Sequence, residues 1–295
     1  MAKYYVLYNA KSGNGTGLET AKKLEKVFEN KELEYVDIIG IKDYKEFFAK
    51  LGEEDRIVIC GGDGTLSRFA NDTYGIQPDN CILFYSSGSG NDFLRDLGKE
   101  VGADPVAVNK YITDLPTVTV NGKDYKFING IGYGIDGYCC EEGDRLRALS
   151  DKPINYTSIA IKGLLFHYKP TNAEITVDGV TKKFKKVWLA PTMNGRFFGG
   201  GMMPTPDQDR LNNETVSTMV MYGKGKIRTL MMFPSIFKGE HVNYKNAVEI
   251  FTGKQVTVKF DRPTPLQIDG ETISGVTEYS VTAKVPAEKK EFATV

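Results

Sequence analysis

The sequence predicts an α/β front half built on a mostly parallel sheet, followed by a mostly antiparallel β-sandwich. Three observations predict it. Apolar strands alternate with amphipathic helices through the first third of the chain. Three of those strands run straight into loops of glycine and small polar residues. From about residue 117 helices become few, and short strands follow one another through Asn-Gly and Asp-Gly turns. The change of class places a boundary near Leu115–Thr119. It gives domains at 1–118 and 119–285, with the tail 286–295 available to return to the front domain.

Lys3–Tyr8 reads as a buried strand and ends in the loop Asn9–Gly17. Leu18–Glu29 has apolar residues at 18, 21, 24, 27 and 28, which is helical spacing. Glu34–Ile39 is a second strand, and Lys42–Leu51 is a helix with Tyr44, Phe47, Phe48 and Leu51 on one side. Arg56–Cys60 is a third strand, followed at once by Gly61–Thr65 and a helix through Leu66–Asn71. Cys81–Tyr85 is a fourth strand, leading into Ser86–Arg95. In the rear half, strands are expected at Thr117–Val120, Lys123–Asn129, Ala173–Val177, Lys183–Ala190, Thr215–Tyr222, Val248–Phe251, Gln255–Phe260 and Tyr279–Lys284. Helices are expected at Glu141–Leu149, Tyr156–His167 and Ile227–Lys238.

Composition narrows the function. The 295 residues are 41% hydrophobic and 26% charged, which excludes a disordered or fibrous chain. Lys plus Arg and Asp plus Glu are both 38, so no excess of positive charge supports a nucleic-acid partner. Residues 1–119 hold 14 basic and 19 acidic side chains, leaving the rear half net positive. Four cysteines without a CxxC pair and only two histidines argue against a zinc site. The start of the chain shows no signal-peptide core, and its most apolar stretches, such as Ile159–Tyr168, are too short to span a bilayer. A cytoplasmic location is expected.

Chemistry concentrates at strand ends. Gly61-Gly62-Asp63-Gly64-Thr65 leaves a strand and enters a helix, where free N–H groups favour a phosphate. The loop Asn9-Ala10-Lys11-Ser12-Gly13 has the same character but lacks the Gly-Lys-Ser/Thr of a P-loop. The third loop places Asn91 and Asp92 at a loop-to-helix junction. Such loops converge at the carboxyl ends of strands, where open α/β sheets bind ligands. In the rear half, Asn129–Gly137 carries four glycines and Asp136, suiting close backbone packing or a polar link. Asp269-Gly270-Glu271 pairs two carboxylates about a glycine, either as a surface hairpin or as a proton acceptor and metal ligand.

Together these segments resemble the diacylglycerol-kinase catalytic-domain family, specifically the soluble bacterial lipid kinases, with sphingosine kinases more distant. The first loop matches the family's Asn-Pro-x-Ser-Gly with Ala10 for proline, and Gly61–Thr65 matches in full. Gly88-Ser89-Gly90-Asn91-Asp92-Phe93-Leu94-Arg95 matches with Ser89 for threonine. Asn129, Gly134 and Asp136, the triplet Gly199–Gly201, and Asp269-Gly270-Glu271 complete the pattern. The chain departs from it at Asn14, where members often carry lysine, and at Pro204–Glu214, which lacks the metal-associated Asp-Gly; Asp209 is the nearest counterpart and Asp207 its rival.

The resemblance implies a Rossmann-like nucleotide domain of the phosphofructokinase and NAD-kinase kind. ATP would be held by Asn9–Gly13, Gly61–Thr65, Leu66, Ser67, Gly88, Ser89 and Asn91. Mg²⁺ would engage Asp63 and Asp92, and a structural metal would engage Asp209 and Asp136. A lipid alcohol would be the acceptor, with Glu271 or Asp269 as base and Asp63 and Asp92 completing the catalytic set. The enzyme would touch the membrane peripherally, through Asn194–Met203, Met231–Phe237 or the lysines 182, 183, 185 and 186, and its edge strands leave a homodimer open. The alternatives are an NAD-kinase-like small-molecule kinase, which shares Gly61–Thr65, and a catalytically silent lipid- or nucleotide-binding regulator.

Overall fold

The computed structural model describes residues 2–86, 90–102, 104–150, 154–211 and 214–284, with the backbone alone at residues 13 and 14. The chain divides into two compact units that meet in sequence at Leu115 and Pro116. Among the described residues no helix is long and apolar enough to cross a membrane.

The front unit is a sheet of five strands: β1 (Lys3–Tyr8), β2 (Glu32–Asp37), β3 (Arg56–Gly61), β4 (Cys81–Ser86) and β5 (Val106–Ala107). Their order is β2-β1-β3-β4-β5, parallel except for β5. Its helices are α1 (Gly17–Ala21, continued by a 3₁₀ turn at Lys22–Lys26), α2 (Tyr44–Phe48), α3 (Asp63–Asp72), α4 (Asp92–Asp96) and α5 (Asn109–Ile112). A parallel sheet covered on both faces needs strands apolar on both sides, which is why β1 reads as an unbroken run. Tyr4 and Val6 pack with Ala21 and Leu24 from α1 and its continuation. On the alternate face Tyr5 meets Phe47 edge-on at 5.8 Å, and Tyr44 meets Phe69 of α3 at 5.7 Å. The Asp43 carboxylate starts α2 by accepting from the N–H groups of Lys45 and Glu46.

The rear unit is antiparallel throughout. It comprises β6 (Thr117–Val120), β7 (Lys123–Lys126), β8 (Gly130–Tyr133), β9 (Thr171–Val177), β10 (Val180–Val187), β11 (Thr192–Met193), β12 (Val216–Met221), β13 (Val248–Gly253), β14 (Gln255–Ile268) and β15 (Glu271–Thr282). The fourteen-residue β14 organises it. Residues 256–260 pair with β9, residues 266–268 pair with β8, and β15 lies along the other edge. The register shifts between Lys259 and Leu266, where Pro263 and Pro265 cannot donate to a ladder. Three hairpins turn on two residues with positive φ: Asn121-Gly122, Asp178-Gly179 and Asp269-Gly270. Tyr133, stacked on Phe260 at 3.8 Å, lies in a core shared by β6, β8, β9, β10, β12, β14 and β15. A second core packs α6 (Ile135–Arg147), α7 (Tyr156–Lys162, continued by a π-helical turn at Gly163–His167) and α8 (Lys226–Met232, continued as 3₁₀ at Phe233–Lys238) onto Trp188, Leu189, Met219 and Met221.

The structure revises several predicted boundaries. The glycine-rich stretch after Asn129 forms β8 and the start of α6, six residues before the predicted helix. A Cβ at Gly132 would lie 1.6 Å from Asp136 Oδ2, so the glycine is required by how closely the helix start approaches the strand. β14 and β15 run far beyond the predicted segments because cross-strand pairing sustains residues that local propensity does not.

His241 is fully buried, with Nε2 2.8 Å from the carbonyl of Pro204. Burial lowers its pKa from the usual 6.5. Below that value the unfolded chain binds the proton that the folded chain refuses, so its contribution to stability is full above 6.5 and falls as pH drops. The unfolding midpoint should therefore fall on going from about pH 7.5 to about pH 5.5, and less steeply in His241→Gln. Equal slopes for the two proteins in parallel melts would refute the assignment.

Candidate active site

In the front unit the strand register levels three chain ends. Tyr8 stands beside Cys60, Cys60 beside Tyr85, and Gly61 beside Ser86. The loops after β1, β3 and β4 thus leave one edge of the sheet at one height. Because β1 is flanked by β2 and β3, that edge includes the point where the chain order reverses, the place where open α/β sheets leave room for a ligand.

The first loop folds on itself. Asn9 Oδ1 accepts from Lys11 N, and the Ser12 hydroxyl donates to Asn9 O at 2.8 Å. Asp37, at the end of β2 and unmarked in the sequence, accepts from Ala10 N at 3.3 Å. In the second loop Gly62 is the N-cap of α3 and Asp63 its first residue. A Cβ on Gly61 would sit 2.4 Å from Thr65 Oγ1, so only glycine lets the helix turn back against the strand. Gly64 differs: a Cβ there would meet no atom within 4 Å, and its N–H has no partner among the described residues.

Asp63 stitches the second loop to the third. Its N–H donates to Gly90 O at 3.3 Å, and its Oδ2 accepts from Asp92 N at 2.7 Å and Phe93 N at 3.3 Å. Both carboxylates are buried, Asp63 8% and Asp92 4% exposed, and Arg95 Nη1 pairs with Asp92 at 3.2 Å. Asn91 accepts from the Ser86 hydroxyl at 2.6 Å. Two buried carboxylates from loops tied together at a helix start are hard-oxygen donors that fit Mg²⁺, which takes one or two carboxylates and keeps waters or phosphates. The side chain of Leu66 is wholly buried and its N–H bonds to Gly62 O, and Ser67 is also buried. Gly88 and Ser89 lie outside the described residues.

In the rear unit the Asp269-Gly270 turn brings its carboxylate inward. Asp269 Oδ2 accepts from Ile128 N at 2.6 Å, and Oδ1 accepts from Asn129 N at 2.9 Å and Gly130 N at 3.0 Å. The same segment is held from behind. Arg210 Nη1 donates to Ile128 O at 2.9 Å and Nη2 to Asn129 Oδ1 at 3.1 Å, while Asn194 Nδ2 donates to Ile128 O at 3.0 Å. Gln208 donates to the carbonyls of Asn194 and Thr215. Arg210, Asn194 and Gln208 are 5%, 2% and 3% exposed, a buried polar network that the sequence reading missed. The one signal for it in the sequence is Arg210, the single basic residue of Pro204–Glu214.

Glu271 is the opposite case. It opens β15, is exposed, and has no hydrogen bond or ion pair among the described residues. Asp136, in the first turn of α6, accepts from Gln267 Nε2 at 2.9 Å, and Gln267 in turn accepts from Gly270 N. Asp209 accepts from Leu211 N in a local turn. Among the described residues no group of three or more His, Cys, Asp or Glu stands ready to hold a metal, so Asp136 and Asp209 are not gathered into a larger ligand cluster.

The diacylglycerol kinase catalytic domain family matches residues 3–120, and the YegS C-terminal NAD kinase beta sandwich-like domain matches residues 129–287. A diacylglycerol kinase of Mycobacterium tuberculosis (strain ATCC 25618 / H37Rv) is 26% identical over 275 residues, covering 89% of this chain and 86% of its own. One from Bacillus subtilis (strain 168) is 26% identical over 231 residues, covering 76% and 73%. The crystal structure of a diacylglycerol kinase from Bacillus anthracis str. Sterne superimposes with a TM-score of 0.59 at 19% identity, covering 95% of this chain and 93% of that one, which establishes the shared fold. With both halves matched in order, the chain belongs to the diacylglycerol-kinase-like lipid kinase family, a catalytic domain joined to a YegS-type C-terminal domain.

Proposed function

We propose that this protein transfers the terminal phosphoryl group of ATP to the hydroxyl of a lipid alcohol in a Mg²⁺-dependent reaction. The observation that carries the reading is the start of α3: Gly64 with open space and an unpartnered N–H, next to the buried Asp63 carboxylate that accepts from the N–H of Asp92. The N–H groups there and the positive end of the helix suit phosphate oxygens. The Asn9–Gly13 loop lies at the same sheet edge and is assigned to the nucleotide. Asp63 and Asp92 are the residues that would hold Mg²⁺, which would supply charge neutralisation on the transferring phosphoryl group. Arg95 fixes the Asp92 carboxylate.

Glu271 is assigned as the base. Its carboxylate takes the hydroxyl proton as the acceptor oxygen bonds to the γ-phosphorus and the bond to the β-phosphate oxygen breaks, releasing ADP. Asp269 is assigned a structural task, since both its oxygens already accept from backbone N–H groups. The enzyme is expected to associate peripherally with membranes, where its acceptor resides.

The test is transfer of labelled γ-phosphate from ATP and Mg²⁺ into a panel of lipid alcohols in mixed micelles, with NAD as a further acceptor. Label in a lipid, reduced more than about 100-fold in Asp63→Asn, is the expected result. Asparagine keeps an oxygen for the Asp92 and Phe93 N–H groups, so the variant removes charge rather than the cap. Label in NAD alone would favour the small-molecule kinase, and ATP binding without transfer would favour a regulator.

A further inference from the structure

We propose that the outward side of α7, its π-helical continuation and α8 is a docking face for an anionic lipid bilayer. This deepens the lipid-alcohol reading and rests on it. The inward sides of these elements share one core: Ile159 and Leu164 pack in the same cluster as Met232 and Ile236. Lys226 Nζ donates to Leu165 O at 2.7 Å and holds α8 beside the π turn. Their outward sides therefore form one surface. Phe166 is 72%, Ile227 72% and Met231 75% exposed, among the most exposed large apolar side chains among the described residues. Ile227 and Met231 are four residues apart and share one side of α8. Single exposed apolar residues are ordinary on protein surfaces, but three on two adjoining elements make a patch.

The charge around the patch names its partner. Acidic and basic residues are equal over the chain, yet residues 157–173 and 215–239 contain no Asp or Glu. They carry Lys162, Lys169, Lys224, Lys226, Arg228 and Lys238. Glu142 of α6 is close enough to influence His167, but Arg145 pairs with it at 2.7 Å. A short helix with apolar residues outward and a basic surround lies in the interface of an anionic leaflet, its apolar side chains reaching the acyl boundary. Phe198 and Met202 are buried, 3% and 6% exposed, and on β10 Lys182 pairs with Glu249 and Lys183 with Glu174.

Flotation with phosphatidylcholine vesicles, with and without phosphatidylglycerol, tests the face without needing turnover. The wild type should float with the anionic vesicles. The pair Ile227→Asp and Met231→Asp, and separately the pair Lys162→Glu and Arg228→Glu, should each weaken that binding by about tenfold or more. Both pairs should keep the wild-type melting temperature and transfer to monomeric dihexanoylglycerol. Unchanged flotation of the variants, or no preference of the wild type for anionic vesicles, overturns the docking face. So does conversion of a wild-type dimer to a monomer by the apolar pair with flotation unaltered, which would assign the face to a second copy of the chain. Normal flotation with no transfer to any lipid alcohol would instead remove the kinase reading.

Discussion

Glu271→Gln should lower kcat by about 10²- to 10⁴-fold, the range a positioned general base contributes. The fold should be untouched, because Glu271 is exposed and has no partner among the described residues; the change in stability is expected within roughly 0.5 kcal/mol. KM for ATP should stay near the wild-type value, since the residue is assigned to the proton and not to the nucleotide. The variant is isosteric, so loss of turnover cannot be ascribed to a cavity. Steady-state transfer and a thermal melt on the same preparation check it. A folded variant with half or more of the wild-type turnover would move the base elsewhere.

Asp269→Ala should give the complementary result, a loss of stability. Its carboxylate receives the N–H groups of Ile128, Asn129 and Gly130, and Ile128 and Asn129 are themselves buried. Leaving buried donors unsatisfied costs about 1–3 kcal/mol each. Alanine also tolerates poorly the φ of +46° at this turn position. Partial access of water offsets some of this, so a net loss of about 3 kcal/mol is expected, roughly 6–12 °C in melting temperature for a unit of this size. Asp269→Asn should lose less, since asparagine accepts the turn geometry and keeps one acceptor oxygen. The ordering Ala worse than Asn worse than wild type in urea denaturation is the decisive observation. A melting temperature unchanged in Asp269→Ala would mean that the three bonds do not anchor the turn.

The two variants separate residues that the sequence presents as equals. Asp269 and Glu271 flank one glycine, and both are acidic. Only the direction in which each carboxylate leaves the hairpin tells them apart, and that depends on the β14–β8 pairing with residues far away in sequence. Asp63 shows the same limit. Its place at the start of a helix after a strand was legible; its two bonds to the N–H groups of Asp92 and Phe93 were not.

The sequence by itself determined the α/β front with its parallel strands, the antiparallel rear half, the Asn-Gly and Asp-Gly hairpins and the three loops at one sheet edge. Local physics suffices for these: apolar periodicity, glycine at tight turns, and a change of period midway along the chain. Tertiary structure alone decided the rest. Residues of ordinary or poor strand propensity extend β14, paired by β15 and at its end by β8, and β15, paired by β14, because these partners satisfy their backbone groups. Arg210, Asn194 and Gln208 form one buried network only because β8 and the segment after the glycine triplet are folded together. Leu66 went to the core and Glu271 to solvent because burial is set by what packs around a residue, and a sequence shows only what lies beside it.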